Sequence, residues 1–508
     1  MTTTAADSGD TIADKGLKSG ALGLMSSVVV GLASTAPAYS LAATLGFVAI
    51  SVGLQAPAIM ILAFVPMLFI ALAYQELNRV MPDCGTTFTW ATKAFGPRVG
   101  WLGGWGIVVA DVIVMANLAQ IAGSYGFLLF GAEDLATSKF WVTLVGVIWI
   151  AVMTWICYKG IEISARIQYA LFGIELVVLV IFSAVALIKT YAGDPPAGSI
   201  HPAWAWFNPF AIPSFSGFTE GILLAIFIYW GWDTAVSINE ETADKDRTPG
   251  RAAVISTVVL LATYAVVTVA AQAYAGVGET GRGLANPENT DDVLSGLGNA
   301  VLGSDLGKIL ILMTLTSAAA STQTTILPTA RTTLSMAAYR AIPRVFARMH
   351  ARNLTPTWST VVMGVASVVF YVGLTLISEN VLGDSITSVG LMIAFYYGLT
   401  GFACVWYFRR SIFDSARNFL LRGLLPLLGG LILLAAFLKS AVDMFATDYG
   451  DTSFAGVGGV FLMGIGALLL GVVLMEVYRA VAPDFFHGRV DVSPEESPVA
   501  LPEPHEKE

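Results

Sequence analysis

The sequence predicts an all-α polytopic membrane protein with about twelve transmembrane helices, and three observations predict it. Apolar residues make up 56% of the 508 and charged residues only 12%, whereas a water-soluble domain carries about 25% charged residues because its surface faces water. Mean hydropathy is +0.72. Finally, the apolar runs have the length that a bilayer demands, about twenty residues each.

Taken in order, the spans fall at 22–50, 53–77, 99–130, 140–158, 165–192, 217–240, 251–277, 305–338, 357–377, 385–408, 420–446 and 455–480. Before them lies a polar tail, 1–20, with no apolar core, so no cleavable leader is expected and the first span starts insertion itself. A second polar tail, 481–508, closes the chain. With the N-terminus placed inside, the inner segments hold 22 of the 27 Lys and Arg residues and the outer ones hold 4, with Lys439 inside a span. That bias fixes the orientation, with both termini inside an inner (plasma) membrane.

The net charge of −9 includes Asp7, Asp10 and Asp14 at one end and Glu495, Glu496, Glu503, Glu506 and Glu508 at the other. These read as solvated tails, and the absence of a basic stripe excludes a nucleic-acid partner. Cys84, Cys157 and Cys404 are far apart, as are His201, His350, His487 and His505, so neither a disulfide framework nor a metal centre is expected. No GxSxG or HExxH motif supports an enzyme. The segment 279–304 reads as a solvated outer loop, and Trp141 and Trp206 as interfacial anchors.

Two spans carry signs of interruption. In the first, Gly31-Leu-Ala-Ser34-Thr35-Ala36-Pro37-Ala-Tyr39 sits mid-span, and Pro37 removes a helix hydrogen bond. In the sixth, Phe227-Ile228-Tyr229-Trp230-Gly231-Trp232-Asp233 sets a glycine and an acid in an apolar helix. Open backbone at membrane depth is tolerated only where it lines a cavity. Breaks in spans 1 and 6 are the expected sign of two inverted five-helix repeats, about 22–192 and 217–408, with a site between them. Residues 21–408 would then be the core, and 409–480 two peripheral helices.

After the second span comes Glu76-Leu77-Asn-Arg-Val-Met81-Pro82-Asp-Cys84-Gly85-Thr-Thr-Phe88-Thr-Trp90, then Phe95-Gly96-Pro97 and Gly100-Trp101-Leu-Gly103-Gly104-Trp105. This resembles the signature loop of the amino acid–polyamine–organocation superfamily, with Cys84 where the first of two paired glycines is usual. The sixth span and the segment Ile342-Pro343-Arg344-Val-Phe346 to Thr355-Pro356 resemble the same superfamily, so the likeness covers residues 20–480. It implies the leucine-transporter type of fold and alternating access for an amino acid or related amine. A polyamine carrier or exchanger is the alternative within the fold, and a receptor that binds without transport the alternative outside it.

The resemblance also implies roles. Backbone N–H groups at Ser34, Thr35 and Ala36 would receive a carboxylate, and carbonyls at Phe227, Ile228 and Trp230 an ammonium. The first break is glycine-rich in the family but Ser-Thr-Ala-Pro here, which weakens carboxylate capture. Tyr39, Trp230, Trp232 and Tyr229 are candidate gates or cation–π partners. Acids within spans are costly, so Asp111, Glu175, Glu220 and Asp233 ask for a positive partner: substrate, sodium or proton. Asp111 would bind a second positive group or bond another helix, and Glu220 would stand at an entry path or interface. Glu175 matches the level at which some proton-coupled relatives carry a lysine, and is the coupling candidate. Ala318, Ser321 and Thr322, at i, i+3 and i+4, match the sodium-binding spacing of sodium-coupled members. Gly231 and Asp233 would hold the sixth-span break, with Asp233 capping or anchoring its inner half. No cofactor beyond a coupling proton or sodium ion is expected. The lipid bilayer and the small substrate are the partners.

Overall fold

A computed structural model of the protein describes residues 15–488 apart from 194, 291, 378–380 and 451. The acidic tail residues named above, with Arg489, His505 and Lys507, lie outside the described residues. Ten helical stretches are long and apolar enough to cross a membrane. The first of them, Leu24–Val80, holds two spans, and the shorter Phe215–Ile228 adds another, so the described chain has twelve. The protein is a multi-pass membrane protein.

The first span is α1 (Leu24–Ser34) followed by α2 (Pro37–Val52), and the second is α3 (Ala56–Val80). A short α4 (Thr87–Phe95) leads into α5 (Pro97–Leu129), the third span. Then come α6 (Lys139–Lys159) and α7 (Ile161–Thr190). The sixth span is α8 (Phe215–Ile228) and, past an irregular stretch, the single turn α9 (Thr234–Ser237). Next are α10 (Thr248–Ala275), α11 (Val293–Leu302), α12 (Ser304–Ala338), α13 (Thr357–Ile377) and α14 (Val381–Phe408). The last spans are α15 (Leu425–Asp443), entered through a π-helical turn at Phe419–Leu424, and α16 (Gly459–Val481).

Burial sorts these helices. In α5, α12 and α14 most of the apolar window is buried inside the protein, whereas in α15 and α16 most of it faces outward. The fourth span, α6, faces outward as much as α15 does. Span 1 stands at the centre: α1 packs on α10, α12 and α7, and α2 on α8 and α12.

Two expectations need correction. The segment 279–304 is not simply a solvated loop. It contains α11, which buries Val293, Leu294, Leu297 and Val301, and the backbone of Thr290 packs so closely on Gly46 of α2 that a Cβ there would lie 2.6 Å from it. The apolar face was missed because a ten-residue helix carries too few turns to show a period. Trp206 is 3% exposed and so does not anchor an interface, unlike Trp141 at 45%. A two-residue β-hairpin, Ser453–Phe454 with Val457–Gly458, joins the last two helices.

The end of the bundle where the described residues begin and end, the terminal end, is held by buried ion pairs. Lys15, 3% exposed, donates to Asp83 Oδ2 at 2.8 Å and to Glu240 Oε1 at 2.5 Å. Asp83 also accepts from Thr89, Ser335 and Tyr339 hydroxyls and from the Gly85 N–H. Arg331 grips Glu241 with two bonds of 2.8 and 2.9 Å. Backbone bonds between Leu22 and Glu241 and between Ala243 and Leu22 tie the start of span 1 to the end of span 6. Burial alone would raise the Asp83 carboxyl, but the Lys15 ammonium and these donors bring it down to about 2. Glu240, buried and sharing the same ammonium with Asp83, is pushed up instead.

Because the Asp83 value is depressed, its contribution is complete above the ordinary carboxylate value, about 3.9, and is lost as pH falls toward 2. Asp83→Asn is expected to lower the Tm of the purified protein. Breaking a buried pair costs about 3–5 kcal/mol, so the deficit should be several degrees, hold from neutral pH down to about 4, and narrow below that. Thermal unfolding of both proteins across that range checks it.

Candidate functional site

The first break is built by local chemistry. Thr35 ends α1 in a helical conformation, Ala36 takes the left-handed region at φ 45°, and Pro37 opens α2 where its missing N–H costs nothing. The open carbonyls of α1 are taken up by hydroxyls: Thr35 donates to Leu32 O, Ser40 to Thr35 O, and Ser321 to Ser34 O. In the sixth span, α8 stops at Ile228, whose carbonyl accepts from the Tyr264 hydroxyl. Gly231 then turns at φ +118° so close to the first break that an added Cβ would lie 2.8 Å from the Ser34 backbone. The two breaks therefore touch, and the Ser34 and Thr234 hydroxyls are 2.8 Å apart.

Between them is a closed cavity of about 10 Å³, the space of about one water molecule. Its lining is Ser34, Ile107, Asp111, Trp230, Gly231, Asp233, Thr234, Thr325, Pro328 and Tyr396. Two carboxylates and no Lys, Arg or His face this space. Asp111, 2% exposed, accepts from the Thr329 hydroxyl through Oδ2. Asp233 accepts from Tyr397 at 2.8 Å and from Tyr396 at 3.1 Å, and the Trp230 indole donates to the Tyr396 hydroxyl.

Five residues singled out from the sequence, Ser34, Asp111, Trp230, Gly231 and Asp233, thus meet at one cavity. The others stand around it. Phe227 and Ile228 are buried in the last turn of α8, Thr35 and Ala36 are buried in the first break, and the Tyr39 hydroxyl is buried without a partner. Trp232 packs against Tyr74 and Tyr397 at ring distances of 5.1 and 5.0 Å and does not line the cavity. Asp233 anchors rather than caps: it sits at the N-cap of α9 with no side-chain bond to that turn and is fastened to α14. Glu220 is exposed at the far end of span 6.

Glu175 on α7 lies behind the first break. Its Oε1 accepts from the Ala38 N–H at 2.6 Å and the Ser317 hydroxyl at 2.9 Å, while its Oε2 is buried with no partner. Of the sodium candidates, Ser321 is turned to Ser34. The Thr322 hydroxyl donates to Ala318 O and accepts from the Trp149 indole. Among the described residues one group, Asp83, Cys84 and Glu240, has spacing suited to a metal, and Lys15 already sits on its carboxylates. The sequence reading missed Tyr396, Tyr397, Thr329 and Ser317. The adjacent tyrosines deep in span 10 were the available signal, since a buried phenol needs a hydrogen-bond partner.

The model of the amino acid permease family matches residues 20–477. An uncharacterized transporter of Mycobacterium tuberculosis is 27% identical over 91% of this chain and 93% of its own length. The branched-chain amino acid permease BcaP of Lactococcus lactis is 27% identical over 40% of this chain, which spans 44% of that protein. The low-affinity putrescine importer PlaP of Escherichia coli is 25% identical over 48% of this chain and 52% of its own length.

The contact of the two breaks makes opposite predictions for two small residues. Gly231→Ala puts a methyl group into the Ser34 backbone at a φ that L-residues avoid, and should cost at least about 1–3 kcal/mol. Ala36→Gly removes a left-handed strain of about 1–2 kcal/mol and should leave the Tm unchanged or higher. Melting curves of the two variants beside the parent decide it.

Proposed function

The chain belongs to the amino acid permease family, and on that premise we propose that it is a secondary active transporter of an amine-bearing solute, an amino acid or a related amine, working by alternating access. The supporting observation is the cavity between the two interrupted spans, bounded by Asp111 and Asp233 with no basic residue in its lining. A buried carboxylate is costly without a cation, and an ammonium supplies one. The relatives' names agree on this group: a branched-chain amino acid and putrescine both carry amines. A transporter rather than an enzyme is what family and relatives indicate.

Alternating access requires that the site open to one side at a time. A cavity of about one water is a closed stage of that cycle. The ion pairs of Lys15, Asp83, Glu240, Arg331 and Glu241 seal the terminal side, and on the proposed orientation that side is the cytoplasm, with the chain in the plasma (inner) membrane.

We infer that protons drive the cycle through Glu175. Glu175 holds a buried oxygen without a partner, a place a proton can occupy. Gaining or losing a proton there changes the bond to Ala38 N–H and thus the set of the first break.

Uptake of radiolabelled amino acids and amines into proteoliposomes tests the reading. A pH gradient should drive accumulation. Asp111→Asn should reduce uptake about 100-fold, the loss of about 3 kcal/mol at a buried ion pair. Glu175→Gln should abolish gradient-driven accumulation and spare exchange. Saturable binding with no flux would leave a receptor, and dependence on sodium alone would remove the proton from the mechanism.

A further inference from the structure

Anions are ordinarily welcomed at a helix N-terminus, where backbone N–H groups are free and the dipole is positive. The first break exposes the N-terminus of α2, and each of its donors has a place already. Thr35 N bonds Leu32 O and Ala36 N bonds Ala33 O, both at 3.2 Å. Pro37 has no N–H. Ala38 N bonds Glu175 at 2.6 Å, Tyr39 N bonds Ser317 at 3.3 Å, and Ser40 N returns to Ala36 O at 2.8 Å. The strongest of the outward-pointing donors is thus held by a carboxylate that belongs to the protein. On the cavity side, Asp111 lines the space and has Thr329, bonded at Oδ2, as its one described hydrogen-bond partner.

We propose that the substrate is an organic amine recognised through its cation alone, because Glu175 fills the anion seat of the first break and Asp111 with Asp233 offers only negative charge. This deepens the site reading above and rests on it. A carboxylate entering the cavity would meet two acids and no free N–H from residues 35–40, so a carboxyl group is a liability here. A primary amine meets Asp111 directly, and a diamine of suitable length meets both acids. Trp230 and Tyr396, already bonded to each other, line the same cavity.

The test is a matched series in which each pair differs by a single carboxyl group: putrescine with ornithine, cadaverine with lysine, isoamylamine with leucine. Binding is read as ligand-induced Tm shift of the purified full chain, with isocaproate as the acid that lacks an amine. The expected result is at least tenfold tighter binding of each amine than of its amino acid, and no shift with isocaproate. Glu175→Ala frees the Ala38 N–H and should narrow that ratio by raising amino acid affinity. Glu175→Gln, which keeps an acceptor oxygen on Ala38, should hold it. If parent protein binds the amino acids as well as or better than the amines, the inference fails and the transporter reading stands. If the folded protein binds neither class, both fail together.

Discussion

A helix that stops inside a bilayer leaves backbone donors and acceptors that no water can meet, and the architecture of this protein follows from satisfying them. Each open group costs several kcal/mol in hydrocarbon, so two breaks survive only if surrounding helices supply partners. The carbonyls released by α1 are met by the side chains of Thr35, Ser40 and Ser321, and the carbonyl at the end of α8 by Tyr264. The donors released by α2 are met by Glu175 and Ser317. These partners come from α7, α10 and α12, and so the breaks dictate which helices pack around span 1. The Thr and Ser content of α12 is explained by this demand as much as by any ligand.

Charge obeys the same economy. Of the buried acids, Glu241 is paired with Arg331, Asp83 and Glu240 with Lys15, and Glu76 with Arg417 and Arg422. All of these pairs lie toward the terminal end of the bundle, where they tie loops and the peripheral helices to the core. Asp111, Asp233 and Glu175 differ: hydroxyl, phenol and amide donors reach them, and no basic side chain does. The paired acids fasten elements together, whereas these three have no charged partner of their own among the described residues.

Much of this was legible in the sequence. Twelve spans and the interruptions at Ser34–Pro37 and Trp230–Asp233 are read from hydropathy, proline and glycine, and Asp111 is singled out by the rarity of acids in membranes. What escaped has a physical reason. Whether Asp111 faces a cavity depends on the rotation of α5, and a helix buried all round has no polar face to reveal it. The helical spacing that sets Ala318, Ser321 and Thr322 on one stripe does not say where each hydroxyl points, and those of Ser321 and Thr322 turn to different neighbours. Tyr396 and Tyr397 are far from Asp233 in the chain, and only the fold brings their hydroxyls onto its carboxylate.

The placement of Glu175 joins these threads. One carboxylate both completes the backbone of α2 and holds an oxygen that nothing in the protein satisfies. As a purely structural cap it would be a poor choice, since an Asn or Ser would satisfy Ala38 N–H without burying an acid. An acid is the better choice if its charge changes during the proposed cycle, at the spot where α1 and α2 part. On the proposed mechanism, proton binding there would weaken the grip on α2 and let the two halves of span 1 tilt separately, with the ion pairs around Lys15 holding the terminal side closed. Coupling and gating would then share the same backbone, that of the first break.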